Sequence, residues 1–176
     1  KHFYPYYSKE GEHVANKVRN TENKTFFAEG NMKGAMLFGQ RAFSEGGKYI
    51  TICEGEVDAM SAYQLLGSKW PVVSIRNGAA SAAKDVTDNY DFLTSFDNIV
   101  VCFDNDDAGI KASARVAEML SPKAKVMSLQ YKDANDYLIN NKKNQFVQDW
   151  WAAKTYTPEG IVSGNEMWDI IVEGAT

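Results

Sequence analysis

Four short apolar runs alternate with segments of helical periodicity between residues 48 and 151 of this chain. Apolar runs of this length, bounded by turn residues, are typical of buried strands, and a connector of a dozen or more residues joins strands that run parallel. Parallel strands are covered by helices on both faces, which explains why the runs are almost continuously apolar. We therefore predict an α/β fold with a parallel sheet of about four strands flanked by helices. The runs are KYITIC, PVVSI, NIVVCF and AKVMSL.

The connectors repeat apolar residues at three- and four-residue intervals, which predicts helices whose apolar face packs on the sheet. Gly67 is a predicted stop for the first helix and Pro122 for the third. Residues 81–96 and the segment NQFVQDWW are also predicted to be helical. The predicted core faces are Val57, Met60, Tyr63 and Leu66 in the first helix, and Ile110, Ala114, Ala117 and Leu120 in the third.

The first 47 residues show a different pattern. Short strand-like runs separated by turn residues and closed by glycine predict a small β-rich subdomain over residues 1–47. The α/β core is expected over residues 48–157, and residues 158–176, which begin with a proline, are expected to be a linker. The predicted strands of the N-terminal subdomain are HFYPYY, VANKVRN, KTFFAEG and GAMLFG.

Charge is divided unevenly along the chain. The net charge of −4 argues against a uniformly basic nucleic-acid binder. Residues 1–48, however, hold 8 Lys and Arg against 5 Asp and Glu, whereas the remainder holds 11 against 18. A basic block beside an acidic block suits a metal site next to a phosphate or nucleic-acid track.

The sequence argues against a membrane span and against a zinc site. No apolar run approaches the roughly 20 residues of a membrane span, so we expect no membrane partner. The two cysteines, Cys53 and Cys102, lie in apolar runs and form no CxxC pair, so we expect no zinc site in this chain. Buried free thiols in a reducing cytoplasm are the simplest interpretation.

Acidic residues follow three of the four apolar runs, namely Glu54, the pair Asp104 and Asp106, and Asp133. Because the carboxyl ends of parallel strands meet at one edge of a sheet, we expect these side chains along that edge, together with Asn77. Crowded carboxylates repel one another unless a cation holds them, and carboxylate oxygens are ligands that Mg²⁺ prefers. The pattern indicates a divalent-metal site.

Simpler roles compete for several acidic residues. Glu56 and Asp58 fall in the first turn of a predicted helix, where negative charge is favourable by roughly 0.3–1 kcal/mol, and we interpret both as helix-starting residues. Asp106 or Asp107 is a candidate cap for the third helix, and Asp133 for the next. A single cap does not account for three aspartates in FDNDDAG.

The ordered motifs EGEVDAMS, GAASAAK, FDNDDAG and KDAN resemble those of the TOPRIM domain, a metal-binding module shared by primases, topoisomerases and some nucleases. NKVRN and EGNMKGAMLFG resemble the segment before that domain in phage and mitochondrial (Twinkle-type) replicative primase-helicases. The likeness covers residues 12–162. It implies a TOPRIM fold and a DNA-directed RNA polymerase of primase type, a nucleotidyltransferase that makes short RNA primers on single-stranded DNA from ribonucleoside triphosphates during DNA replication.

The resemblance also implies roles for the acidic residues. Glu54, Asp104, Asp106 and Asp133 would be the catalytic carboxylates and would hold Mg²⁺, for which Mn²⁺ can substitute. Glu54 is alternatively a general base for the 3′-hydroxyl of the primer, and the sequence leaves the two roles open.

Basic residues near these motifs are the candidate nucleotide- and template-binding groups. Lys17 and Arg19 alternate along a predicted strand and would share one face, which by itself indicates an ordinary solvated surface. In the family, matching basic positions line the nucleotide and template groove. The candidates are Lys17, Arg19, Lys24, Arg76, Lys84 and Lys132.

Two other functions remain open. TOPRIM nucleases use the same carboxylates to hydrolyse DNA, and animal mitochondrial members of the family keep the domain for DNA binding alone. The resemblance further implies a zinc-binding module before residue 1, a RecA-like helicase beyond residue 176, and a replicative DNA polymerase as partner. It implies the cytoplasm of a bacterial or phage-infected cell in preference to a mitochondrion.

Overall fold

A computed structural model of the chain describes residues 1–157, so the predicted linker over residues 158–176 lies outside the described residues. The N-terminal part is a three-stranded antiparallel sheet in the order β1-β2-β3. The fourth predicted strand of this part, GAMLFG, is not a strand; within it, only Phe38 forms an isolated bridge, to Ser74. The strands are β1 (His2–Tyr7), β2 (His13–Arg19) and β3 (Phe26–Gly30).

The core sheet has the order β5-β4-β6-β7-β8. Its first four strands are parallel, which confirms the predicted architecture. The central strands β4 and β6 are seven residues each, and the last four residues of both are buried, as expected for strands covered on both faces. A two-residue edge strand, antiparallel to β7, was not predicted. The strands are β4 (Gly47–Cys53), β5 (Val72–Ser74), β6 (Phe96–Cys102), β7 (Ala124–Val126) and β8 (Lys154–Thr155).

Helices cover both faces of the core sheet. One hydrophobic cluster joins the sheet to α2, α3 and α4, and the other joins it to α1, α5 and α6. The helices are α1 (Glu56–Leu65), α2 (Ala82–Asp88), α3 (Tyr90–Thr94), α4 (Asp107–Met119), α5 (Ala134–Ile139) and α6 (Lys143–Trp151). Within residues 1–157, no helix has both the length and the apolar character needed to cross a lipid bilayer.

The predicted core faces of two helices are correct in part. Ala117 in α4 and Leu120 directly after it are buried as predicted. Met60 in α1, by contrast, is 49% exposed and Ile110 in α4 is 56% exposed. Alanines near these two positions are buried instead, because small residues let a helix approach the sheet closely. The buried apolar residues are Ala59, Ala62 and Leu65 in α1, and Ala112, Val116 and Ala117 in α4.

The turn from β6 into α4 requires glycine at position 109. A Cβ atom there would overlap the carbonyl oxygen of Asp104 and lie 2.9 Å from its carbonyl carbon. The Gly109 N–H also donates to Asp106 Oδ1 at 2.8 Å, which caps the helix. The FDNDDAG segment is therefore folded back on itself with no room for a side chain at this position.

We expect Gly109→Ala to lower the melting temperature by roughly 3–10 °C, because the backbone of Asp104 must move to admit the methyl group. A Gly→Ala change inside a helix is ordinarily stabilising by about 0.5–1 kcal/mol. A fall in the melting temperature would therefore identify the clash. Thermal unfolding followed by circular dichroism measures it. Ala108→Ser, at the exposed neighbouring position, is the control and should unfold within about 1 °C of wild type.

Candidate functional site

Three carboxylates converge at the carboxyl edge of the core sheet. Asp58 lies in the first turn of α1, Asp104 follows β6, and Asp133 precedes α5. One oxygen from each lies within 4.8 Å of the other two, and all three side chains are partly exposed. An arrangement of oxygen ligands at this spacing is consistent with a site for a divalent metal ion.

Asp58 is the residue that the sequence interpretation missed. It was assigned only to helix initiation, whereas its carboxylate belongs to the three-residue cluster. Its Oδ1 accepts a hydrogen bond from the backbone N–H of Asn135 at 3.1 Å, which ties α1 to α5. The available signal was its place in the first turn of the helix that follows β4, because that helix begins at the carboxyl edge of the sheet.

The cluster shifts the acidity of its members. Burial raises the pKa of Asp58 to about 7, and the neighbouring Asp133 carboxylate adds to the shift. Burial, followed by the charge of Glu54, likewise raises the pKa of Asp104 to about 7. These shifts measure how strongly the folded protein disfavours negative charge here in the absence of a cation.

Glu54 lies beside this cluster. Burial raises the pKa of its carboxyl group, and the charge of Asp106 raises it further, whereas Lys132 lowers it. Among residues 1–157, Glu54 Oε1 is one of the few buried side-chain oxygens with no hydrogen-bond partner. A buried carboxylate oxygen without a partner is costly, and a bound cation or a substrate hydroxyl would satisfy it. The residues present therefore fit a divalent cation.

Asp106 and Asp133 both act as helix caps, the alternative roles considered for them. Asp106 is exposed and outside the three-residue cluster, and it caps α4 through the Gly109 N–H. Asp133 caps α5 by accepting from the Asp136 N–H at 2.9 Å, and it also belongs to the cluster. Capping and metal binding therefore do not exclude each other at Asp133, because a carboxylate has two oxygens.

Arg76, predicted to bind nucleotide or template, is buried among charged and polar groups of the protein. Its side chain is 5% exposed. The guanidinium contacts the Asp85 and Asp88 carboxylates and donates to the carbonyl oxygens of Met32 and Ala35. All these partners belong to the protein, and burial leaves no surface for a phosphate. Arg76 instead joins α2 to the segment that follows the N-terminal sheet.

The other predicted cations differ in their exposure. Lys17 is only 14% exposed and forms an ion pair with the buried Glu56. Arg19 lies over the Phe26 ring, with its guanidinium carbon 5.7 Å from the centroid. Lys24 is exposed in the turn between β2 and β3. Two further cations are exposed, Lys84, which pairs with Asp88, and Lys132, which lies beside the acidic cluster.

The shifted carboxyl groups make the stability of the metal-free protein depend on pH. Asp58 and Asp104 have a pKa of about 7 in the folded state, against an ordinary aspartate value of 3.8, so the folded state binds more protons. Their contribution to stability is complete below about pH 4 and is lost as the pH rises through about 7. We expect the melting temperature, measured with chelator, to fall more steeply between about pH 5 and pH 8 in wild type than in Asp104→Asn.

Asp97 provides the control for this measurement. It is exposed near the opposite end of β6 from Asp104. Asp97→Asn should therefore retain the wild-type slope. A wild-type slope in Asp104→Asn would contradict the assignment of the raised pKa to the cluster.

Comparisons with known proteins agree with this geometry. Residues 51–138 match the family model described as Toprim-like. The chain is 37% identical over 172 residues to a DNA helicase/primase of Enterobacteria phage T3, covering 97% of this chain but 30% of that relative.

Two solved structures of bacteriophage T7 proteins are each 34% identical in sequence to this chain. The primase domains bound to an RNA/DNA hybrid and dTTP, in a complex with lagging-strand DNA polymerase, match with a TM-score of 0.79, covering 88% of this chain and 78% of that one. The primase fragment of the T7 primase-helicase matches with a TM-score of 0.76, covering 85% and 62%. The chain belongs to the Toprim-like family and is similar over nearly its whole length to the primase part of phage primase-helicases.

Proposed function

We propose that this chain is the RNA-polymerising part of a DNA primase. It would join ribonucleoside triphosphates into short RNA primers on single-stranded DNA during replication. The observation that carries the proposal is the convergence of Asp58, Asp104 and Asp133 at the carboxyl edge of the sheet, in a chain 37% identical to a phage DNA helicase/primase. The chain spans 30% of that relative, so the activity is proposed for this part of a longer assembly.

Mg²⁺ is the proposed metal, with Mn²⁺ as a substitute. Asp58, Asp104 and Asp133 would hold it, with Glu54 adjacent and Asp106 at the margin of the site. Bound Mg²⁺ supplies positive charge that stabilises the attacking 3′-oxygen and the leaving pyrophosphate in nucleotidyl transfer. All-oxygen ligation favours this ion over zinc, which prefers nitrogen and sulfur ligands.

Glu54 is the proposed proton acceptor for the 3′-hydroxyl of the primer. Its Oε1 is buried without a partner, and burial raises the pKa of the carboxyl group, so it accepts a proton more readily than an ordinary glutamate. Lys132 is exposed beside the cluster and lowers the pKa of both Glu54 and Asp58. Its ammonium group would attract the triphosphate of the incoming nucleotide.

A partly exposed cation of the N-terminal sheet and exposed cations of the following turn and of α2 would bind the nucleic-acid backbone. Arg19 lies beside Phe26, which is 52% exposed, and Lys24 lies on the following turn. Lys84 is 74% exposed. Phosphate contacts from such side chains position the template without reading its sequence. The net charge of the chain nevertheless stays negative, so this attraction is local.

The remaining partners follow from the relatives. The T7 primase domains were solved with a lagging-strand DNA polymerase, and we propose a replicative DNA polymerase as a partner here. We also propose that a zinc-binding module and a RecA-like helicase belong to the same natural protein, since the phage T3 relative is named a helicase/primase. The proposed location is the cytoplasm of a phage-infected bacterial cell.

The activity is tested by extending a short RNA primer annealed to single-stranded DNA with ribonucleotides and Mg²⁺ or Mn²⁺. Wild type should extend the primer, and Asp104→Asn should be slower by roughly 100-fold or more, because a charged ligand of the metal is lost. Asp97→Asn, at the other end of the same strand, should retain wild-type extension. Supplying the primer removes the need for a template-reading module.

Two other outcomes of this experiment would indicate the alternative functions. Degradation of the template, dependent on Asp104, with no extension would identify a metal-dependent nuclease. Binding of single-stranded DNA without extension or degradation, repeated with the full-length protein, would identify a non-catalytic DNA-binding domain.

Metal binding itself predicts a stability change that does not depend on activity. Mg²⁺ at about 100 times its dissociation constant should stabilise wild type by about 2.7 kcal/mol. Asp58→Asn should lose most of this gain because the site loses one of its three converging carboxylates. Melting temperatures with Mg²⁺ and with chelator measure the difference. An equal gain in Asp58→Asn would place the ion elsewhere.

A further inference from the structure

The first turn of α1 carries two carboxylates that contact different parts of the molecule. Asp58 belongs to the acidic cluster at the sheet edge. Glu56, two residues earlier, is 4% exposed and faces the N-terminal sheet. Its Oε1 forms an ion pair with Lys17 Nζ at 2.8 Å and accepts a hydrogen bond from Tyr6 OH at 2.6 Å. One helical turn thus connects the N-terminal sheet to the metal site.

Lys17 is fully engaged by protein groups. Besides Glu56, its ammonium donates to the carbonyl oxygen of Arg76 at 2.9 Å. It also lies 5.1 Å from the centroid of the Phe26 ring. Lys17 therefore joins β2 to the start of α1 and to the segment after β5.

Tyr6 completes the environment of Glu56. Its side chain is 1% exposed, and burial together with the Glu56 carboxylate raises its pKa, so it remains a neutral donor. Glu56 consequently receives two strong hydrogen bonds from the N-terminal sheet, one of them from a cation. Buried ion pairs add little net stability over apolar replacements, and their best-attested use is to specify one arrangement.

Such a restraint is needed at this position. The Asp58 carboxylate is held close to those of Asp104 and Asp133, which repel it. On the α5 side, Asp58 is restrained by the Asn135 N–H. On the opposite side of the turn, Glu56 contacts Lys17 and Tyr6, and the neighbouring Val57 packs against the N-terminal sheet.

We propose that the Lys17–Glu56 pair is a positioning device for the metal centre, through which the N-terminal sheet keeps Asp58 in place against Asp104 and Asp133. The inference rests on the metal site of the proposed function and extends it. Lys17 acts here through Glu56 and does not contact the nucleotide. The structure thereby assigns the N-terminal sheet a role in metal affinity.

The test is the dissociation constant for Mn²⁺, measured by calorimetry in wild type, Lys17→Met, Glu56→Gln and the double variant. Loss of groups that orient a metal ligand typically weakens binding 10–100-fold, so each single variant should bind Mn²⁺ at least about tenfold more weakly. The double variant should be no weaker than the weaker single variant, since both changes remove the same contact.

The sign of the Lys17→Met effect separates positioning from simple electrostatics. Removing a cation beside an acidic site should, by Coulomb's law, strengthen the binding of Mn²⁺. The proposal predicts weaker binding. Lys33→Met removes the same charge from an exposed position after β3 and is the control, because Lys33 forms no ion pair with Glu56 among the described residues. It should bind Mn²⁺ as tightly as wild type, within about twofold.

Unchanged or tighter Mn²⁺ binding in Lys17→Met overturns the proposal. So does a raised KM for ribonucleotides at unchanged Mn²⁺ affinity, because that result would mean that Lys17 contacts the nucleotide. If a single variant does not fold, the double variant decides by the same criterion, since it leaves no unpaired buried charge.

If wild type binds no Mn²⁺, the proposed metal site fails, and the pair is judged separately by hydrogen exchange. The amides of residues 59–62 in α1 should then exchange at least about tenfold faster in Lys17→Met than in Lys33→Met. Equal exchange in the two variants would refute a positioning role.

Discussion

Carboxylates that share a small volume repel one another, and the folded chain has to hold Asp58, Asp104 and Asp133 together against that repulsion. Different helices and strands of the core hold the three residues in place, since each residue lies at the start of a helix or directly after a strand. The pairing of β4 with β6, which sets Cys53 opposite Cys102, places the ends of the two central strands at one level. Burial and the neighbouring carboxylates raise the pKa of both Asp58 and Asp104 to about 7, which reflects the cost of gathering negative charge at this edge.

Two buried ionic groups support this arrangement from the N-terminal side. Glu56 binds Lys17 and Tyr6, and Arg76 binds Asp85 and two carbonyl groups of the preceding segment. Both groups join the N-terminal sheet or its continuation to the core. The predicted cations therefore fall into two groups. Internal ones join the N-terminal sheet to the core, and exposed ones are accessible to a polyanion.

Much of the fold was predictable because its signals are local. Strand-length apolar runs and helical spacing predicted the parallel sheet, and the acidic residues after the runs predicted its functional edge. Helical spacing predicted Met60 of α1 and Ile110 of α4 to be buried, whereas close packing buries alanines of the same helices and leaves these two side chains exposed. Asp58 was missed because an acidic residue in a first helical turn is common for a different reason, the helix dipole.

The sequence by itself determined the α/β architecture, the edge at which acidic side chains gather, and the residue types suited to a divalent cation. These properties depend on periodicity and chain direction, which neighbouring residues specify. Only the tertiary structure decided which carboxylates converge, that Glu56 is buried, and that Lys17 and Arg76 are internal while Lys84 and Lys132 are exposed. Those outcomes depend on distances between residues far apart in the chain, and such distances are set by packing.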